Sequence, residues 1–425
     1  MILDLYAGPG GWSHALTVLG VPDIGLEWDP WACKTRAMAG HFTLRTDVAL
    51  YPVWPWVGRT RGLIASPPCQ AWSMAGKRLG LVDQPLVHQA VADLAAGLDT
   101  REELLGPCRD KRSLLAAEPM RYLHALNTAG QPEWIAMEEV PDVLPLWRQY
   151  AAVLRGWGFS VWCGILNTAD YGVPQTRRRA ILLASRVRTA QPPPPTHAQI
   201  AEPQTLFGPG RDRWVSMAQA LGWGATDRPV PTVCAGGGPG GGPEPFPSGS
   251  RKTLAAARAR GTWTPRPEGT APTSRHEQPD RADRHGRHRS TGRPPTASTT
   301  AEDHRWSWSL RSNNQANATV RPLSEPAGTL FFGHRANECT WVAEPAVQDS
   351  PAPGAGQSVA APEPIRITAR EAGILQSFPA SYPWQGNKGQ QFSQIGNAVP
   401  PLFAAHLLAP HLNVTLNPDD FALAA

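Results

Sequence analysis

Cysteine is scarce in this 425-residue chain: six residues, Cys33, Cys69, Cys108, Cys163, Cys234 and Cys339, with no Cys-x-x-Cys pair. Neither a disulfide framework nor a zinc knuckle is indicated, and a reducing, cytoplasmic setting is expected. No apolar run approaches the roughly 20 residues that a membrane span needs. The N-terminal MILDLYAGPGG also lacks a charged stretch leading into a long apolar core. His, Cys and Asp are nowhere clustered as a ligand set, so no metal is expected. From Thr264 to His304 there is no Val, Ile, Leu, Met, Phe, Tyr or Trp. Such a stretch buries too little surface to offset its ordering entropy, and is expected to be disordered or ordered only on a partner.

What is present begins with charge. The chain carries 40 Lys plus Arg against 35 Asp plus Glu, a net +5. The segment from Arg251 to Arg321 holds 14 of the basic and 6 of the acidic residues, a local excess of eight that leaves −3 for the remainder. A basic segment on a near-neutral body suits a polyanion such as nucleic acid, although a solvated basic linker has the same composition.

A length of 425 residues allows two or three domains. Over the first 187 residues, short apolar runs (MILDLYAG, DIGLEW, GLIAS, EWIAMEEV, AILLAS) alternate with helical patterns (WSHALTVLG, PWACKTRAMAGHF). That rhythm predicts βαβ units and a parallel sheet covered by helices. The run QPPPPTHA at 191–198 is expected to end this domain, since consecutive prolines join neither a helix nor a central strand. Residues 343–364 read as a flexible linker by composition. Beyond it, ITAREAGILQSF and VPPLFAAHLLAPHL have helical periodicity.

Four stretches carry chemistry. DLYAGPGGWSHAL sets a glycine turn between strand and helix, where backbone N–H groups can approach a cofactor, or where glycine merely eases the chain around. Glu27, 19 residues after Gly8 at the end of the next strand, suits ribose hydroxyls, and Trp28 beside it offers a flat face for adenine. In GLIASPPCQAWS, Cys69 follows two stiffening prolines at the carboxyl end of a strand, the ligand-binding edge of open α/β sheets. A buried, inert cysteine is the common alternative. WIAMEEV ends a strand on the acidic pair Glu138 and Glu139, again at a carboxyl end, where one carboxylate could also be simply solvated or cap the next helix. In QTRRRAILLA the alternation puts Gln175, Arg177 and Arg179 on one face and Thr176 and Arg178 on the other.

In this order, these segments resemble the cytosine-5 DNA methyltransferases of bacterial and phage modification type, which use S-adenosylmethionine. DLYAGPGG, GLEWD and TDV (46–48) look like the cofactor motifs, SPPCQ like the nucleophile motif, and MEEV stands where the family has Glu-Asn-Val. QTRRR matches Gln-x-Arg-x-Arg, RPLSEPAGTL resembles the segment after target recognition, and QIGNAVPP is close to the final motif.

The resemblance implies a Rossmann-like class I methyltransferase fold: a mixed sheet with helices on both faces, plus a smaller, irregular target-recognition domain. The catalytic domain would be 1–187, the recognition domain 188–318 with the disordered stretch 264–304, a return segment 319–342, the linker 343–364, and helices 365–412 completing the catalytic domain. It implies Cys69 as the thiolate that adds to C6 of a flipped cytosine, and Glu138 at N3. Arg177 and Arg179 would hold O2 and the Cys69 loop while lowering the thiol pKa. Tyr6, Gly8, Gly10, Gly11, Glu27, Trp28, Asp47, Pro67, Asn397 and Val399 would contact the cofactor, Asp47 at the adenine amino group. Gln70, Ser73 and Gln175 would meet DNA. Glu139 departs from the family's asparagine and is expected on the opposite strand face from Glu138. The implied partner is double-stranded DNA, acted on by a monomer in a bacterial or phage-infected cytoplasm at the nucleoid, with a cognate restriction endonuclease where the chain serves restriction-modification. Methylation of cytosine in RNA, or a catalytically silent DNA-binding relative, would use the same motifs.

Overall fold

The computed structural model describes residues 1–72, 78–206, 208–221, 306–312, 318–330, 339–345 and 365–421. The expected disordered stretch, most of the expected recognition domain, Ser73 and linker residues 346–364 lie outside the described residues.

Seven strands form the main sheet: β1 Ile2–Leu5, β2 Asp23–Glu27, β3 Thr43–Arg45, β4 Gly62–Ala65, β5 Trp134–Glu139, β6 Ser160–Asn167 and β7 Arg178–Ser185, in the order β3-β2-β1-β4-β5-β7-β6. The first five run parallel. β7 lies antiparallel between β5 and β6, so the sheet is mixed rather than the all-parallel one that the alternating rhythm predicts. β6 (SVWCGILN) has no clean alternation of apolar and polar residues, and every position in it is half-buried. The pairing with β7, not a local pattern, fixes it as a strand.

Burial in β1, β4 and β5 is complete on both faces, as expected for strands covered by helices. One face packs Leu3, Leu63, Ile135 and Met137 under helices α3 Leu79–Ala95, α5 Glu118–Asn127 and α6 Leu144–Gly156. The other packs Ile2, Ile64, Trp134 and Ile181 under α1 Gly11–Val18 and the late helix α10 Pro401–Leu412. Remaining helices are α2 Pro30–Met38, α4 Arg101–Leu105, α7 Met217–Ala220, α8 Ala369–Leu375 and α9 Lys388–Asn397. The C-terminal helices therefore complete the first sheet from the far end of the chain.

The proline run at 191–198 does not leave the body. Tyr171 Oη donates to Pro193 O at 3.0 Å, and Thr196 N donates to Asp170 O at 2.9 Å. Beyond it β8 His197–Ala198 pairs with β9 Asp212–Arg213. A second sheet has the order β11-β10-β12-β13: Val320–Pro322, Trp306–Arg311, Thr340–Pro345 and Ile365–Arg366. Strand β12 runs three residues into the stretch read as linker.

Candidate active site

In an open α/β sheet, ligands gather at the carboxyl ends of the strands. The expected cofactor residues lie there. Tyr6 follows β1 directly, with a positive φ of 60°, and its hydroxyl donates to Leu115 O at 3.0 Å. The turn then uses the left-handed region at Gly8 (φ 55°) and Gly10 (φ 107°), a backbone that glycine adopts without penalty. Gly11 is required for a different reason: a Cβ there would meet Val399 O at 2.0 Å, so the glycine lets the C-terminal segment cross α1.

Glu27 ends β2, and its carboxylate accepts from Gly8 N and Asp29 N, both at 2.7 Å. Burial pushes its carboxyl up, and those two amides pull it back. Trp28 is 70% exposed beside it. Asp47 follows β3. A left-handed glycine turn, a carboxylate at the next strand end and an exposed indole form a cradle that suits an adenosine carrying no pyrophosphate. Beneath the turn, Tyr382 Oη donates to Pro9 O at 2.6 Å and His41 packs where a side chain at Gly10 would clash. Local sequence gave no signal for this support, because Tyr382 comes from the other end of the chain.

The second group sits two strands along the same edge. Cys69 lies four residues beyond Ala65 of β4, and Glu138 and Glu139 end the neighbouring β5. Because β7 is antiparallel to β5, its beginning, not its end, reaches this edge, with Glu138 opposite Ile181 and Glu139 opposite Ala180. That reversal delivers QTRRR to the cysteine. Arg179 Nε lies 2.8 Å from Glu138 Oε1, and Arg177 Nη2 lies 3.8 Å from the same oxygen; all three side chains are under a tenth exposed. Arg177 Nη1 donates to Gly396 O at 2.7 Å, tying the cluster to the segment that carries Asn397 and Val399. Gln175 is fully buried while Arg178 is exposed, the alternation expected from sequence. Trp12 of α1 links the two groups, its Nε1 donating to Ser66 Oγ at 2.9 Å just before Pro67. Asn397 and Gln70 are exposed and Pro67 is buried.

One expectation needs correction. The Cys69 thiol is not lowered: burial pushes it up to about 11, Glu139 adds to the push, and Arg179 and Arg177 pull the other way without prevailing. Glu139 does lie on the face opposite Glu138, alongside Ile135 and Met137, but that face is covered as well, leaving Glu139 only 1% exposed. Burial and the charge of Glu138 hold its carboxyl well above the usual range. Its Oε2 accepts from Val140 N, while Oε1 has no hydrogen-bond partner. Both amide atoms of Gln175 and Nε of Arg177 are likewise buried without partners. Buried polar groups are seldom left without partners, and those at the end of β5 and in QTRRR are free to take a polar ligand.

Burial also pushes the Arg177 guanidinium down, to about 9, which keeps it protonated at neutral pH. Among the described residues no group of three or more His, Cys, Asp or Glu could hold a metal ion, and no helix is long and apolar enough to cross a membrane.

A family model described as C-5 cytosine-specific DNA methylase matches residues 1–89, 107–216 and 267–412. The type II methyltransferase M.DdeI of Desulfomicrobium norvegicum is 26% identical over 429 residues, 96% of this chain and 87% of the relative. The type II methyltransferase M.AplI of Arthrospira platensis is 51% identical over 201 residues, 43% of this chain and 45% of the relative. Among solved structures, the Dnmt2 methyltransferase of S. pombe aligns over 97% of this chain and 98% of its own at 16% identity, with a TM-score of 0.48. With the family match running over most of its length, the chain belongs to the C-5 cytosine-specific DNA methylases and is a DNA (cytosine-5)-methyltransferase.

Proposed function

We propose that the chain methylates C5 of a cytosine flipped out of double-stranded DNA, with Cys69 as nucleophile, as the modification enzyme of a type II restriction-modification system or in phage DNA protection. The observation that carries this reading is the half-buried Cys69 set beside the buried Glu138, Arg177 and Arg179, gathered at the ligand edge of one sheet.

C5 of cytosine is a weak nucleophile, and C5 and C6 are hidden in the base stack, so the base must leave the duplex before either is reached. The Cys69 thiolate adds to C6, forming the C–S bond and moving the C5–C6 π electrons onto C5. Once C5 has taken the methyl group it loses its proton to a base, the double bond re-forms and the C–S bond breaks to release Cys69. Glu138, in its protonated form, hydrogen-bonds or protonates N3 of the pyrimidine and so stabilises the adduct. Arg179 and Arg177 hold O2 and favour the thiolate over the thiol, against the opposing effect of burial. DNA contacts are assigned to Gln70, Ser73 and Gln175, of which Gln175 is fully buried in the DNA-free protein. S-adenosylmethionine supplies the electrophilic methyl group when bound, and no metal is required. Gly8, Gly10 and Gly11 let the backbone approach it, with Tyr6, Pro67, Asn397 and Val399 lining the same cradle. Glu27 binds the ribose, Trp28 stacks on the adenine and Asp47 accepts from its amino group. The proposed domain division follows the sequence, with recognition assigned to 188–318, except that the linker would start after Pro345, where β12 ends.

The test is bisulfite sequencing of total DNA from a bacterial host expressing the chain, with Cys69→Ala in parallel. Protected cytosines in one short sequence context, lost in the variant, are expected. Full protection in the variant removes the mechanism, whereas no protection by the folded wild type points to an RNA substrate or a silent binding protein.

A further inference from the structure

Between two blocks matched by the family model lie residues 90–106, the end of α3 and all of α4. One side chain from this segment reaches the turn that carries Asp47. There, Asp47 Oδ1 accepts from Ala49 N at 2.9 Å, and its carbonyl accepts from Tyr51 N at 2.9 Å. The next carbonyls turn toward cations: Arg121 donates to Val48 O at 2.6 Å and to Tyr51 O at 3.0 Å, and Arg101 donates to Ala49 O at 3.1 Å. Tyr122 Oη adds a bond to Val48 O at 3.0 Å.

Both guanidinium groups are held by one buried carboxylate. Glu118, 5% exposed at its side chain, pairs with Arg101 Nη1 at 2.5 Å and with Arg121 Nε at 3.1 Å. The far side of Arg101 is gripped by Asp99, at 2.6 and 2.7 Å. Glu118 follows directly on the segment that accepts the Tyr6 hydroxyl at Leu115 O. One corner of the fold thus fixes two of the cofactor residues. Charge-assisted bonds to three nearby carbonyls leave the turn little freedom to rotate the Asp47 carboxylate.

We infer that the 90–106 segment buttresses the adenine end of the cofactor site, with Arg101 as a positioning residue that, through Glu118 and Arg121, presets the turn bearing Asp47. This rests on the S-adenosylmethionine reading above. Preorganisation lowers the cost of binding, so its loss falls on cofactor affinity rather than on the chemical step.

The experiment measures S-adenosylhomocysteine binding by calorimetry, together with steady-state DNA methylation, for the full wild-type chain, Arg101→Gln and Arg101→Lys. For Arg101→Gln, Kd and the cofactor KM are expected to rise together, about five- to tenfold, while kcat at saturating cofactor and the KM for DNA stay within about twofold. Arg101→Lys keeps the charge but loses the fork, and should fall between the two. A Kd within twofold of wild type, or equal losses in kcat and DNA KM, overturns the proposal. If Arg101→Gln does not fold, Arg101→Lys alone decides by the same split. A wild-type chain that methylates DNA yet binds no S-adenosylhomocysteine would sink the cofactor reading instead, a result separable from failure of the buttress.

Discussion

The two halves of the ligand edge are built from different materials. Around β1, β2 and β3 the site is largely backbone: a glycine turn, two amides on Glu27, and carbonyls tied down behind Asp47. Around β4, β5 and β7 it is charged side chains: two carboxylates, two arginines and a thiol packed into a region with little solvent. Backbone amides hold their geometry whether or not a ligand is bound. Buried charges hold theirs only while each is paired, because an unpaired one carries its full desolvation cost. The first half should therefore fail chiefly on changes of shape, except at the Arg101–Glu118 brace behind Asp47, and the second on changes of charge.

The largest expected effect comes from removing a charge without changing shape. Glu138→Gln should cut kcat by about 10²- to 10⁴-fold in a methyl-transfer assay, the usual scale for a positioned acid or base, with the cofactor Kd nearly unchanged. A loss below tenfold would remove Glu138 from the proposed role at N3. Next in size is Arg179→Met, which leaves Glu138 with only the more distant Arg177 at 3.8 Å. Breaking one side of a buried pair costs about 3 kcal/mol or more, read from denaturant unfolding. Adding Glu138→Gln should recover most of it, because the stranded charge is then gone. No recovery would mean that the pair is not the source of the loss.

A change of shape tests the other half. Gly11→Ala puts a Cβ where Val399 O stands at 2.0 Å, so α1 and the C-terminal segment must part. Overpacking of this kind costs about 1–3 kcal/mol, and cofactor affinity should fall with it. Alkylation of Cys69 in the free protein should keep its wild-type pH midpoint. A shifted midpoint would show that the two halves do not fail independently.

The same contrast decides what was legible in the sequence. Backbone-made features are local: DLYAGPGG, Glu27 and the strand-end position of Cys69 can be read within a few residues, and the fold has them where expected. The alternation in QTRRR was also legible, since a strand's period is set by its own geometry. Long-range partnership was not. Arg177 meets Gly396 and Tyr382 meets Pro9 across most of the chain, and no local pattern encodes such pairings. Arg101 reads as one more surface arginine until Glu118 and the Ala49 carbonyl are brought beside it. The Cys69 thiol was misjudged in direction because counting nearby arginines omits burial, which outweighs them here.

Glu139 gives the smallest effect and the sharpest sign. Its folded carboxyl holds its proton to higher pH than an unfolded one, whose pKa is about 4.3. Unfolding above that pH releases the proton, so this residue's contribution to stability is fully present at low pH and is lost as pH rises toward the folded value. Glu139→Gln keeps the length and can still accept from Val140 N, but has no proton to lose. The Tm of the variant minus that of wild type should therefore climb as pH goes from about 5 to 8. With the carboxylate gone from beside the thiol, the alkylation midpoint of Cys69 should also move down. A flat Tm difference together with an unmoved midpoint would make Glu139 a spectator, and would leave the elevation of the Cys69 thiol to burial and Glu138.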